Sequence, residues 1–136
     1  MTRRGLLFAL ALLSLAAPAD AQDRTAIQGV ITAQIEAFGQ DDGTRAFGFA
    51  TPELQAMFGS AERFMGMVRN GYQPVYRPRS MSFGDLTTAN GQIVQELAVI
   101  GPDGTPRVAL YRMEQQPDGT WRIAACQLLE RPSPES

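Results

Sequence analysis

The apolar residues of this chain change their period once, and that change limits what the chain can fold into. Across Arg63–Gly84 (RFMGMVRNGYQPVYRPRSMSFG) they stop recurring at helical spacing and begin to alternate between short turns. Upstream, Ile27, Val30, Ile31, Ile35 and Phe38 lie on one stripe of an amphipathic helix. Thr25, with Gln28 three residues on, fits a capping box, and Gly39 fits a left-handed terminus, so the spacing predicts a helix over Ala26–Phe38. Asp41 and Asp42 read as a solvated loop, with Asp42 capping a short helix over Thr44–Ala50. Thr51-Pro52-Glu53 opens another helix, in which Leu54, Met57 and Phe58 share a side before Gly59. Ser60 caps a third stripe of Phe64, Met67 and Val68, closed by Gly71.

Downstream the signals are those of strands. Asn90-Gly91, Gly101-Pro102-Asp103-Gly104 and Pro117-Asp118-Gly119 are turn sequences. They separate strands predicted over Met81–Thr87, Ile93–Ile100, Arg107–Glu114 and Trp121–Leu129. Between the two halves, Tyr72–Arg79 holds two prolines, neither of which donates to a ladder, and reads as an edge strand. Helices followed by an antiparallel meander define an α+β fold with the helices packed on one face of the sheet.

The N-terminus carries a different pattern. Thr2-Arg3-Arg4 is basic, Gly5–Ala17 is an apolar run too short to span a bilayer, and Ala19-Asp20-Ala21 has the small-x-small form of a cleavage site. These features predict a signal peptide over residues 1–21, a single domain over 22–130, a flexible tail over 131–136, and a location in the periplasm or outside the cell. The paired arginines leave the general and twin-arginine export routes both open.

The sequence has no His and no Lys, a single Cys and a formal net charge of −2. Without His there is no Ser-His-Asp or Cys-His catalysis and no His-ligated zinc or haem. With one Cys there is no intrachain disulfide, and a mildly acidic surface does not suit nucleic acid or an anionic membrane. No cofactor is expected. Cys126, mid-strand between Ala124 and Leu128, reads as a small buried hydrophobe.

The helix order, with a last strand opened by Gly119-Thr120-Trp121-Arg122-Ile123, resembles the nuclear-transport-factor-2-like superfamily. More closely, Phe64–Arg79 and Leu110–Leu128 make Ile27–Leu129 similar to the small exported bacterial proteins grouped as domain of unknown function 4864. The superfamily resemblance implies a cone with a cavity between helices and sheet, frequent dimers through the sheet's outer face, and both enzymes and non-enzymes. Its ketosteroid-isomerase-like enzymes imply a carboxylate base beside a phenol. Candidates for that chemistry are Glu96 and Asp85 as base, with Tyr111 or Tyr76 as partner. Glu96 and Tyr111 lie on adjacent strands and are able to share a side, but both phases of Ile93–Ile100 are apolar and leave the inner face open.

The other candidate is a binding surface. On an extended strand Arg77 and Arg79 would point to one side and grip a carboxylate or phosphate, with Tyr72 and Tyr76 on the other side. The competing reading is that charge and proline protect an exposed edge. The expectation is therefore a non-catalytic module binding a small anionic or apolar ligand or a partner, as a homodimer. An isomerase or lyase is the alternative.

Overall fold

The computed structural model describes residues 19–130, so the signal-peptide reading lies almost wholly outside the described residues and the tail reading entirely so. The order is α1 (Ala19–Gly39), α2 (Gly43–Gly48), α3 (Pro52–Phe58), α4 (Ala61–Gly71), α5 (Gln73–Tyr76), β1 (Ser80–Ala89), β2 (Gln92–Ile100), β3 (Pro106–Gln115) and β4 (Trp121–Glu130). The strands form one antiparallel sheet in sequence order, as a meander of this kind must. The helices pack on one face, α1 and α3 against β4 and α5 against β2, so the fold is α+β.

The caps follow the sequence locally. Asp42, Thr51 and Ser60 each accept a hydrogen bond from the amide three residues on, which offsets one of the unpaired donors at a helix start. Asn90 and Gly91 both have positive φ, the geometry that lets a two-residue turn match strand twist. The apolar stripe of α1 is buried at Ile27, Ile31, Ile35 and Phe38.

Three expectations are corrected. First, α1 starts at Ala19 rather than Ala26. Nothing in Ala19–Arg24 breaks a helix, and the Thr25 hydroxyl is spent on Ala21 O at 3.1 Å instead of capping. Second, the left-handed residue after α1 is Asp41, at φ 52°, and not Gly39. Asp41 N donates to Phe38 O and Asp42 N to Ala37 O, the paired bonds of a Schellman ending placed two residues later. Third, Tyr72–Arg79 is no edge strand. Gln73–Tyr76 is one helical turn with Pro74 in its first positions, where a missing N–H costs nothing. The turn packs closely on the sheet: a Cβ on Gly101 would come within 3.0 Å of Pro74 Cα. The edge strand on that side of the sheet is β1 itself.

Two irregularities shape the sheet. In β1 the register shifts between Phe83 and Leu86, a bulge that sets Gly84 and Asp85 against Glu96. Gln95, fully buried, satisfies it: its Nε2 donates toward Gly84 O and Asp85 O at 3.1 and 3.3 Å, and its Oε1 accepts from Gln28. In β4, Ala124 is the extra residue at the Arg112–Met113 step. Beyond β4, Phe49–Thr51 lies parallel to Ile123 and bonds to it through Thr51 N and Phe49 O, covering part of that edge.

Candidate functional site

Register decides which side chains meet under the helices. Gln95, Leu97 and Val99 of β2 and Ala109, Tyr111 and Met113 of β3 are the buried phase, on the helix side of the sheet. Tyr111 pairs directly with Cys126 on β4. That part of β4 runs Ala124-Ala125-Cys126, three small residues, and the bulge adds backbone length there. A cavity of about 520 Å³ lies there between sheet and helices, within the range of small-molecule sites. Phe38, Phe58, Phe64 and Met67 form much of its wall, with Tyr72 and Tyr111.

The polar groups of this cavity are few. Gln34 donates to Ala46 O at 3.1 Å, and the Tyr72 hydroxyl donates to Cys126 O at 3.0 Å. The Tyr111 hydroxyl is buried and has no hydrogen-bond partner among the described residues. The Cys126 thiol, its cross-strand neighbour, is the one group placed to interact with it, short of full hydrogen-bond geometry and weak as a partner, and the hydroxyl is sealed from the cavity as well as from solvent. Burial pushes the Tyr111 phenol well above its ordinary range and the Cys126 thiol up to about 12. Burial also raises Tyr72. All three therefore keep their protons at neutral pH. Leaving a buried hydroxyl unpaired costs roughly 1–3 kcal/mol, so this position is the exception that asks for a cause.

The other residues singled out from sequence are placed elsewhere. Glu96 pairs with Leu110 on the outer phase of the sheet, one register step from Tyr111, so the two do not share a side. Its side chain lies over the bulge, within 3.4 Å of where a Gly84 Cβ would sit. Asp85 is exposed in that bulge. Tyr76 is buried and donates to the Asp41 carboxylate. Arg77 stacks over the Tyr76 ring at 4.0 Å, donates to Phe38 O at 2.6 Å and pairs with Asp41 at 3.1 Å. Arg77 thus closes the C-terminus of α1, and Arg79, exposed, does not act beside it. Of the residues proposed from sequence as catalytic or ligand-binding, only Tyr72 and Tyr111 line the cavity.

A second hollow of about 390 Å³ lies by Asn70, Gln73, Asp103 and Arg107. Arg107 is already shared between Asp103 and Glu130, at 3.6 and 3.4 Å, and no buried group there lacks a partner among the described residues. Among the described residues no three Asp, Glu, Cys or His side chains gather to hold a metal.

Sequence reasoning missed three residues. Gln34 and Gln95 are polar side chains in apolar phases, Gln34 beside Ile27, Ile31 and Phe38, and Gln95 beside Leu97 and Val99. That misfit was the available signal. Asp41 carried none, because its partners are remote in sequence.

These features define a small α+β domain whose helices roof an open antiparallel sheet over an apolar cavity. The chain belongs to the family described as domain of unknown function 4864, which matches it over residues 20–136. Neither the curated proteins nor the solved structures contain a match to it.

Proposed function

We propose that the domain is a non-catalytic binding module that takes a small, mostly apolar molecule into the cavity between helices and sheet. The observation that carries this reading is the cavity itself, walled by rings and Met side chains and lined by few polar groups. The isomerase or lyase alternative needs a carboxyl within reach of a phenol inside the cavity. The carboxyls of Glu96 and Asp85 are on the outer phase and in the bulge, and Asp41, the partner of Tyr76, does not line the cavity. The same proposal includes export, with cleavage after Ala21, and a cone of the nuclear-transport-factor-2-like kind. Native mass spectrometry of the protein recovered from the periplasm tests it: a retained small molecule is expected. Bare chain that also fails to take up apolar probes would sink the reading.

The outer sheet face favours a second copy of the chain as partner. Val94, Ala98, Ile100, Val108 and Leu110 are half-buried there, and among the described residues no helix lies over them. Glu96, Arg112 and Glu114 share that face, so its charges are mixed and suit an isologous contact. Sedimentation at micromolar concentration should give a dimer, and Leu110→Glu should give a monomer with unchanged fold. A monomeric parent protein would remove this part of the proposal.

A further inference from the structure

Gln34 is a buried polar side chain of the cavity wall whose bonding is only half explained by the fold. It sits on α1 one turn before Phe38 and is 4% exposed. Its Nε2 donates to Ala46 O at 3.1 Å, which ties α1 to α2. A backbone carbonyl only accepts, so this bond also fixes which way the amide is turned, with Oε1 away from Ala46 O. That oxygen accepts from no group among the described residues. It is not sealed as the Tyr111 hydroxyl is, but keeps an open surface, and the open space that Gln34 borders is the cavity. The tie to Ala46 accounts for the nitrogen alone. A buried amide oxygen needs a donor too, and the cavity is the side from which one reaches it.

The rest of the lining limits the kind of donor. The Tyr72 proton is spent on Cys126 O, and the other side chains near Gln34 are those of Phe38, Phe64 and their apolar neighbours. No carboxylate lines the cavity, so an ammonium group would lose its water without gaining a counter-charge. A neutral donor loses far less. We infer that the molecule held here is uncharged, apolar along most of its body, and carries one hydroxyl or N–H group that donates to Gln34 Oε1. This deepens the binding reading above and rests on it. The donor end lies at α1, and the apolar body lies among Phe58, Phe64 and Met67.

Four probes of one ring system separate the possibilities: naphthalene, naphthol, methoxynaphthalene and naphthylmethylamine, measured by equilibrium dialysis at neutral pH against the purified protein. Naphthol should bind about three- to tenfold more tightly than methoxynaphthalene, which keeps the oxygen and lacks the proton, and the ammonium should bind most weakly. Gln34→Met, close in shape but without the amide oxygen, should bring naphthol down to the level of methoxynaphthalene. Unchanged binding of naphthalene by that variant would report an intact cavity. The side-chain amide NMR signals of Gln34 should move further with naphthol than with methoxynaphthalene, a readout in the parent protein that stands even where the variant fails to fold. If the two oxygen-bearing probes bind alike, if the preference survives Gln34→Met, or if the amide signals ignore naphthol, the binding reading stands and this inference is wrong. If none of the four binds, both fall.

Discussion

Tyr76 and Tyr111 are two buried phenols in one small domain, and their surroundings are opposite. Tyr76 sits where α5 meets the end of α1, donates to Asp41 and lies under the guanidinium of Arg77. Tyr111 sits on β3, and its sealed hydroxyl has beside it only the weakly bonding thiol of Cys126. Around Tyr76 every polar group has been recruited to hold elements together: Asp41 takes a left-handed backbone to receive the phenol, and Arg77 closes the carbonyl of Phe38. Around Tyr111 the small residues of β4 leave space instead. A buried hydroxyl with a charged partner is part of the frame. The same group without one is a weak point in the packing and adds nothing to that frame.

The largest way to disturb this contrast is at the residue the two regions share. Phe38 packs on Phe64 and Tyr76, with centroids 6.1 and 6.3 Å away, and also lines the cavity. Phe38→Ala should lower unfolding free energy by about 3 kcal/mol, near the low end for a buried ring because one side already faces a cavity. Denaturant titration measures it, and a loss under about 1 kcal/mol would show that the shared wall is not load-carrying. Next, Arg77→Ala removes a carbonyl cap, an ion pair and a ring stack, and should cost about 2 kcal/mol. Arg77→Lys should recover less than half, since an ammonium lacks the planar fork that serves Phe38 O, Asp41 and the ring together.

The direct comparison is between two conservative changes. Tyr76→Phe should cost about 1 kcal/mol, because it removes a bond to a carboxylate. Tyr111→Phe should cost nothing in the empty protein, or stabilise it slightly, because it removes an unpaired polar atom. Equal losses at both positions would erase the distinction.

Two pH effects sharpen it further. The Tyr76 hydroxyl, and after it Arg77, hold the Asp41 carboxyl below its usual 3.8. A depressed carboxyl contributes stability above its unfolded value and loses it as pH falls through the folded one. The gap between the parent protein and Tyr76→Phe should therefore be full above pH 3.8 and close below it. Cys126 runs the other way. Its thiol is raised from 9.0 to about 12, so its contribution is complete below pH 9 and is lost as pH climbs toward 12. Cys126→Ser should flatten part of that alkaline decline, with Tyr111 supplying the rest. The smallest effect is a rate: iodoacetamide should label the half-buried Cys126 at neutral pH far more slowly than a free thiol, since the thiolate is scarce in the folded state.

How much of this was written locally is clear from particular residues. The four strands, their Asn-Gly and Gly-containing turns, and the caps at Asp42, Thr51 and Ser60 depend on contacts within a few positions, and they stand where the sequence places them. The α+β class follows from the change of period alone. Tyr72–Arg79 was misjudged because its conformation is fixed from outside. Tyr72 bonds to a residue 54 positions away and Tyr76 to one 35 positions away, and neither is visible in an x-Pro spacing that reads as extended. The inner face of β2 was undecided for a related reason. Both of its phases are apolar, so only pairing with β1 and β3 turns Gln95, Leu97 and Val99 inward and Glu96 out. The cavity is further still from the sequence. It lies over the small residues Ala124-Ala125-Cys126, and volume left over is a property of packed elements. By itself the sequence determined the elements and their order, because those energies are local. The tertiary structure decided the register, the frame around Asp41 and the cavity between helices and sheet, because those depend on which distant surfaces meet.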